Sequence, residues 1–330
     1  YYQSGKFKVE IEKIFLNSWQ LVGPESKIPN IGDTIKFTIT KQPIIITRVD
    51  QNRIKAYFNI CQHRGGPIVD ENNCYKQFQC QYHGWIYTNE GKLKNARGFD
   101  KSELKKSDFD LKEINVSVWN GLMFINFDKR CNPLESIYEK LEKRINKRNF
   151  SSYQFYKRDS YNISCNWKIY MDNYLEGLHI PIVHPELNKT INYKSYKTEI
   201  HDQFSLQWCS IDQQLNPYKN DSSEDLIAYY VTIFPNVILN IAPGRLQTNI
   251  VEPIDEKSCL VHFDYYFEQI DEKQVQRDLD FSDIIQREDI EICESVQASY
   301  EAKGFKNGII SKRYESGILH FHSRLKEILL

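Results

Sequence analysis

The sequence predicts an α+β fold in which an antiparallel β part precedes a larger part built of an antiparallel sheet and helices. Three observations predict it. Residues 35 to 60, IKFTITKQPIIITRVDQNRIKAYFNI, are short β-branched and aromatic runs broken at KQP and DQNR, the pattern of a strand meander. VSVWNGLMFINF, residues 116 to 127, holds Asn-Gly between two such runs and predicts a hairpin. Near Pro133 the texture changes. NPLESIYEKLEKRINKR predicts a helix, a second is expected around 167 to 180, strands over 226 to 241, 246 to 252 and 258 to 268, and a long helix over 272 to 303, the mix of an α+β domain. The expected division is an N-terminal segment, 1 to 34, packing on the larger part, a β domain at 35 to 130, and the larger domain at 131 to 330.

Composition narrows the functional classes. The 330 residues are 41% hydrophobic and 26% charged, an ordinary globular balance. The 43 basic and 44 acidic side chains nearly cancel, so no global field favours nucleic acid or an anionic membrane. KLEKRINKR, 140 to 148, is the densest basic run and is expected to be a solvated helix face. No apolar run reaches the roughly 18 residues of a membrane span. The eight cysteines are scattered through the chain without the density of a disulfide scaffold, and a cytoplasmic location is the default expectation. No internal repeat or low-complexity segment appears.

One stretch stands apart. CQHRGGPIVDENNCYKQFQCQYHGWIY, residues 61 to 87, contains Cys61-x-His63, sixteen further residues, and Cys80-x-x-His83. A structural zinc site is chemically reasonable, yet zinc fingers usually keep each ligand type in its own pair, and here each pair mixes one Cys with one His. Mixed pairs suit a [2Fe-2S] centre in which two thiolates hold one iron and two imidazoles the other, because each loop then supplies one ligand to each iron. Residues 61 to 85 resemble the Rieske signature, C-x-H-x(15–17)-C-x-x-H followed by Gly84 and Trp85. The resemblance assigns Cys61 and Cys80 to one iron and His63 and His83 to the other. Cys74 falls outside it and is expected to be a bystander. Imidazole ligation raises the potential to about −150 to +300 mV, against about −400 mV for plant-type clusters, so the cluster is an electron relay.

A relay needs a destination. NWKIYMDNYLEGLHIPIVHP, residues 166 to 185, places Glu176 and His179 one turn apart on a helix, and Pro181 is expected to break that helix and fold His184 back toward His179. Two histidines and a carboxylate make the facial triad of mononuclear non-haem Fe(II), with positions open for O2. Rieske signature and this segment together resemble the oxygenase α subunit of Rieske non-haem iron oxygenases, nearest the choline and carnitine monooxygenase-like branch. That resemblance implies a helix-grip type of catalytic domain at 131 to 330 and a third iron ligand on the long helix. Glu288 and Asp289 flank its apolar stripe of Phe281, Ile285, Ile292 and Val296, so helix geometry leaves both open, and the family pattern selects Asp289.

By the same comparison Glu176 bridges the two metal sites, between a Rieske histidine of a neighbouring subunit and His179, and Asp172, one turn earlier, is a further candidate for supporting the iron ligands. The chain carries no G-x-G-x-x-G and no plant-type ferredoxin cysteine run. Electrons are therefore expected from a separate NAD(P)H-dependent reductase, with flavin or a ferredoxin held there, and the family's head-to-tail homotrimer is implied. Tyr193, Tyr196, Phe204, Trp208, Tyr218, Tyr229, Tyr230 and Phe234 are candidates for an aromatic box that would hold a quaternary ammonium group. The expected activity is hydroxylation or oxidative N-demethylation of a small organic substrate; the alternatives are aromatic-ring dihydroxylation and, from another class, a non-catalytic Rieske electron carrier.

Overall fold

The computed structural model describes residues 5–100, 102–145, 148–211, 226–305 and 307–330. Leu16–Leu134 form one compact unit; the stretch ending at Phe15 and Glu135–Leu330 form the other. The segment expected at 1 to 34 is thus divided between the two, because Gln20–Pro24 is a strand of the smaller unit.

In the smaller unit, β1 (Gln20–Pro24), β2 (Asp33–Ile39), β3 (Gln42–Arg48), β4 (Ile54–Phe58) and β5 (Asn73–Cys74) are followed by β6 (Gln77–Gln79), β7 (Ile86–Thr88), β8 (Leu93–Asn95), β9 (Glu113–Trp119) and β10 (Leu122–Asn126). The meander and the hairpin are where the strand patterns place them. All pairings are antiparallel, in the order β1-β10-β9-β4-β3-β2-β5, with β6-β7-β8 as a separate small sheet. The β9–β10 turn is Asn120-Gly121, with φ of 49° and 75°, the positive pair that a two-residue hairpin needs. Ile44, Ile45 and Ile46 are all fully buried, so β3 is covered on both faces, which a continuous apolar run permits. Sequence patterning missed the small sheet, whose strands are only three residues long.

The larger unit contains α1 (Lys6–Lys13), α2 (Glu135–Arg144), β11 (Gln154–Ile163), α3 (Trp167–Tyr174), α4 (Ile180–Val183), α5 (Pro185–Thr190), β12 (Lys197–Ile200), β13 (Phe204–Ser210), β14 (Ile227–Ile233), β15 (Val237–Ala242), β16 (Arg245–Pro253), β17 (Cys259–Phe267), α6 (Glu272–Glu301) and α7 (Ser316–Leu329). Its antiparallel sheet runs β11-β17-β16-β15-β14-β13-β12. The run at 226 to 241 is two strands, not one, parted at Phe234–Asn236 where Pro235 has no N–H for the ladder.

Two helices differ from expectation. α3 starts where Asn166 caps it, accepting from Lys168 N at 3.0 Å, but it ends at Tyr174, six residues before the expected end, and Pro181 sits in the first turn of α4, where its missing N–H costs nothing. α6 begins at its Asp271 cap, and its buried face is Val275, Asp278, Leu279, Ser282, Gln286, Cys293 and Gln297, rotated from the apolar stripe; Ile292 is exposed. The interior that α6 faces is mixed: Val275, Leu279 and Cys293 join the apolar core, whereas Ser282 and Gln286 face a cavity. α1 is tied to α3 by Glu10, which is buried and accepts from Trp167 Nε1 at 2.9 Å and Lys168 Nζ at 2.5 Å. Among the described residues, no helix is long and apolar enough to cross a membrane.

Candidate active site

Two loops of the smaller unit carry the first set of expected ligands: Cys61 and His63 follow β4, and Cys80 and His83 lie between β6 and β7. Each loop closes on its cysteine. The Cys61 carbonyl accepts from Gly65 N and the Cys80 carbonyl from Gly84 N, both at 3.0 Å, and the two glycines take φ of 75° and 72°, a region they enter without a Cβ penalty. Gln81 N donates to Pro67 O at 3.3 Å across the loops, and a Cβ on Gly66 would lie 3.1 Å from Cys80 Sγ.

The four side chains converge. Cys61 and Cys80 are buried and their thiols are neighbours; the His63 and His83 rings lie 4.6 Å apart, and His63 stacks on Trp85 at 4.7 Å. Burial pushes the Cys61 thiol up and the His63 imidazole down from their ordinary values. His63 Nδ1 is buried without a hydrogen-bond partner, which in a native site calls for an explanation. Two sequestered sulfurs beside an imidazole with an unmet nitrogen fit a [2Fe-2S] cluster. Cys74 is exposed on β5, with Sγ toward Ile31 O at 3.5 Å.

The second set assembles in the larger unit. His179 and His184 bracket the short α4, and Asp289 projects from α6. Each imidazole has a carboxylate on one side: Glu176 Oε1 lies 2.5 Å from His179 Nδ1, and Glu288 Oε2 lies 2.7 Å from His184 Nδ1. That leaves both Nε2 atoms toward Asp289 Oδ1, at 3.9 Å for His179 and 3.0 Å for His184. One donor atom from each of His179, His184 and Asp289 lies within 4.8 Å of the other two. Burial lowers the His184 imidazole pKa, but its hydrogen bonds to Asp289 and Glu288 outweigh that and hold it above the usual value. Two neutral-capable nitrogens and one carboxylate, each imidazole braced on its far side, fit the donor set of a mononuclear Fe(II).

Glu176 stands in the turn after α3, not on the helix, and its other oxygen accepts from Leu178 N and His179 N, so the same carboxylate shapes the turn and orients the ring. Gly177 makes that turn possible, since a Cβ there would come 2.7 Å from the Tyr196 ring. Asp172 faces His322 of α7, 3.0 Å from Nε2. Asn173, which sequence reasoning missed, donates to Asp289 Oδ1 at 2.6 Å.

A cavity of about 120 Å³ opens beside the three residues, roughly ten times what a single water needs. Of the eight aromatics considered, Tyr196 and Tyr230 line it, stacked 6.3 Å apart. Trp208 and Tyr229 instead lie under Arg144 and Arg148, Phe204 stacks on His201, Phe234 packs in the core, and Tyr193 stacks behind Tyr196; Tyr218 lies outside the described residues. The remaining aromatic wall is Tyr170, Tyr174, Phe263 and Phe281. Amides supply the polar wall, among them Gln207, Asn240, Gln247, Asn249 and Gln286. Tyr174 OH donates to Asn240 Oδ1 at 2.7 Å, and Gln247 Nε2 to Asn249 Oδ1 at 2.8 Å. Arg245 is neutralised by Asp278 at 2.6 Å. The alternation of Arg245, Gln247 and Asn249 along β16 was the available signal, since a period of two puts them on one face.

Residues 150–330 match the family model described as the catalytic domain of the ring hydroxylating alpha subunit, and residues 18–115 match the Rieske [2Fe-2S] domain. Choline monooxygenase, chloroplastic, from Arabidopsis thaliana is 29% identical, with 97% of this chain and 79% of that protein aligned. The carnitine monooxygenase oxygenase subunit of Escherichia coli strain K12 is 26% identical over 99% of this chain and 92% of its own. Among solved structures, a quaternary ammonium Rieske monooxygenase superposes with a TM-score of 0.88 at 23% identity, covering 100% and 93% of the two chains. Naphthalene 1,2-dioxygenase superposes at 0.79 with 18% identity, covering 99% and 90%. These superpositions establish the fold.

Proposed function

The chain belongs to the ring-hydroxylating α-subunit family, with a Rieske [2Fe-2S] domain ahead of the catalytic domain, and from that premise we propose that it hydroxylates, or oxidatively N-demethylates, a small substrate carrying a quaternary ammonium group. It is an oxidoreductase, its cofactors are the Rieske cluster and a mononuclear non-haem iron, and the family draws its electrons from a separate reductase. The observation that carries the substrate reading is the whole-length similarity to choline and carnitine monooxygenases. The cavity agrees with it: aromatic rings offer π faces to a cation, and the rest of its wall is polar, rich in amides.

In this reading Cys61, His63, Cys80 and His83 hold the cluster, and His179, His184 and Asp289 hold the iron. When bound, the cluster would supply single electrons and the iron would supply open positions for O2. The residues of the chain do the rest. Glu176 and Glu288 accept hydrogen bonds from the Nδ1–H groups of His179 and His184 and so fix which nitrogen each ring presents. Asn173 holds the Asp289 carboxylate, and the rings and amides place the substrate while displacing water. Glu176 also bridges toward a Rieske histidine of the neighbouring chain in a head-to-tail homotrimer, and the reductase uses NAD(P)H. Hydroxylation consumes one O2, two electrons and two protons and releases water.

The test is turnover of choline, carnitine, other betaines and a set of aromatic acids with a generic reductase, scoring O2 uptake against product. Coupled product from the ammonium compounds is expected. Coupled product from aromatic acids alone replaces this reading with ring dihydroxylation. Iron confined to the cluster would leave an electron carrier.

A further inference from the structure

Gln286 is a buried amide in the cavity wall, 1% exposed on the inner face of α6. Its Oε1 accepts from Tyr170 OH at 2.8 Å. Its Nε2 is buried and has no hydrogen-bond partner. The neighbouring cavity polar groups are spoken for: Asn240, Gln247 and Asn249 bond one another or Tyr174, and Arg245 has Asp278. A buried donor left unmet is costly in a folded protein and calls for a missing partner. Gln286 lies one helical turn before Asp289, on the same side of α6, so that partner sits close to the residues assigned to the iron.

We propose that Gln286 Nε2 is the contact that reads the substrate: it donates to an acceptor oxygen, a hydroxyl, carbonyl or carboxylate, carried a few bonds from the carbon that is oxidised. The inference deepens the reading of a small polar substrate and rests on it. It makes Gln286 a specificity determinant, since molecules without such an oxygen leave the donor unpaired.

The test is calorimetric binding to the cofactor-loaded protein with matched probes: choline against ethyltrimethylammonium, γ-butyrobetaine against butyltrimethylammonium, and benzoate against toluene. Gln286→Leu is expected to weaken the oxygen-bearing member of a pair about tenfold, the size of one hydrogen bond, and to leave the other member unchanged. Gln286→Met repeats the measurement with a closer match in shape, and melting curves check that both variants fold. Equal weakening of both members, or no oxygen-bearing probe bound more tightly by the native protein than by the variants, overturns the proposal. Gln286→Glu is expected to bind as weakly as Gln286→Leu; restored affinity there would mean that the oxygen end of the amide faces the substrate, and the proposal falls. Should benzoate alone respond to Gln286, the ammonium reading fails while the Gln286 assignment stands.

Discussion

Glu288 and Asp289 are adjacent acids on α6 that divide one task, the first bracing His184 at Nδ1 and the second facing both Nε2 atoms. Glu288→Ala should lower the affinity of the mononuclear site for Fe(II) about 10- to 100-fold, because an unbraced imidazole loses its orientation and basicity. Competition with a ferrous chelator on protein with an intact cluster would measure it. Glu288→Gln keeps an acceptor for Nδ1–H and should retain most of the affinity; loss equal to that of Ala would make the charge, not the hydrogen bond, decisive. In the other site, Cys80→Ser should abolish the EPR signal of the dithionite-reduced cluster, whereas Cys74→Ser should leave it intact. A signal lost with Cys74 would sink the ligand assignment. Helix geometry could not separate Glu288 from Asp289, since both flank the stripe; the rotation of α6 about its axis separated them.

At the scale of elements, α6 shows where patterning misleads. Its apolar residues mark a stripe, yet the buried face also contains Ser282, Gln286 and Gln297, because the helix packs on the apolar core through Val275, Leu279 and Cys293 and at Ser282 and Gln286 also closes the cavity. The Glu176 turn shows a second limit. Helix propensity carries through to residue 180, but the carboxylate of Glu176 binds backbone N–H groups beyond itself and ends the regular structure. α1 is tied to α3 by a buried acid, Glu10. Glu10→Ala would leave Lys168 buried beside a lost partner and should cost about 3–5 kcal/mol of stability, read as a lower denaturation midpoint at unchanged slope. A change within measurement error would mean that Lys168 reaches water when Glu10 is gone.

For the whole molecule, two metal sites in two compact units of one chain raise the question of which chains cooperate. If electrons cross between neighbouring chains, a Cys80→Ser variant without a cluster and an Asp289→Ala variant without the iron, each inactive alone, should recover turnover when co-expressed and purified as mixed assemblies. Mixed assemblies that stay inactive would point to transfer within a chain. Metal analysis belongs to the same scale: three irons and two acid-labile sulfides per chain are expected, and zinc without sulfide would reject both sites.

By itself the sequence determined the α+β class and the strand meander and singled out Cys61, His63, Cys80, His83, His179 and His184 as candidate ligands, since short spacings and local periodicity need no knowledge of distant contacts. Only the tertiary structure decided that Glu288 braces His184, which aromatics reach the cavity, and that its far wall is built of amides. Those side chains come from α3, the segment before β12, β13 to β17 and α6, and their meeting depends on packing between segments up to about a hundred residues apart in the chain, a property that no local pattern records. Gln286 is the clearest case, an unremarkable residue on a helix until its neighbours leave one hydrogen bond unmade.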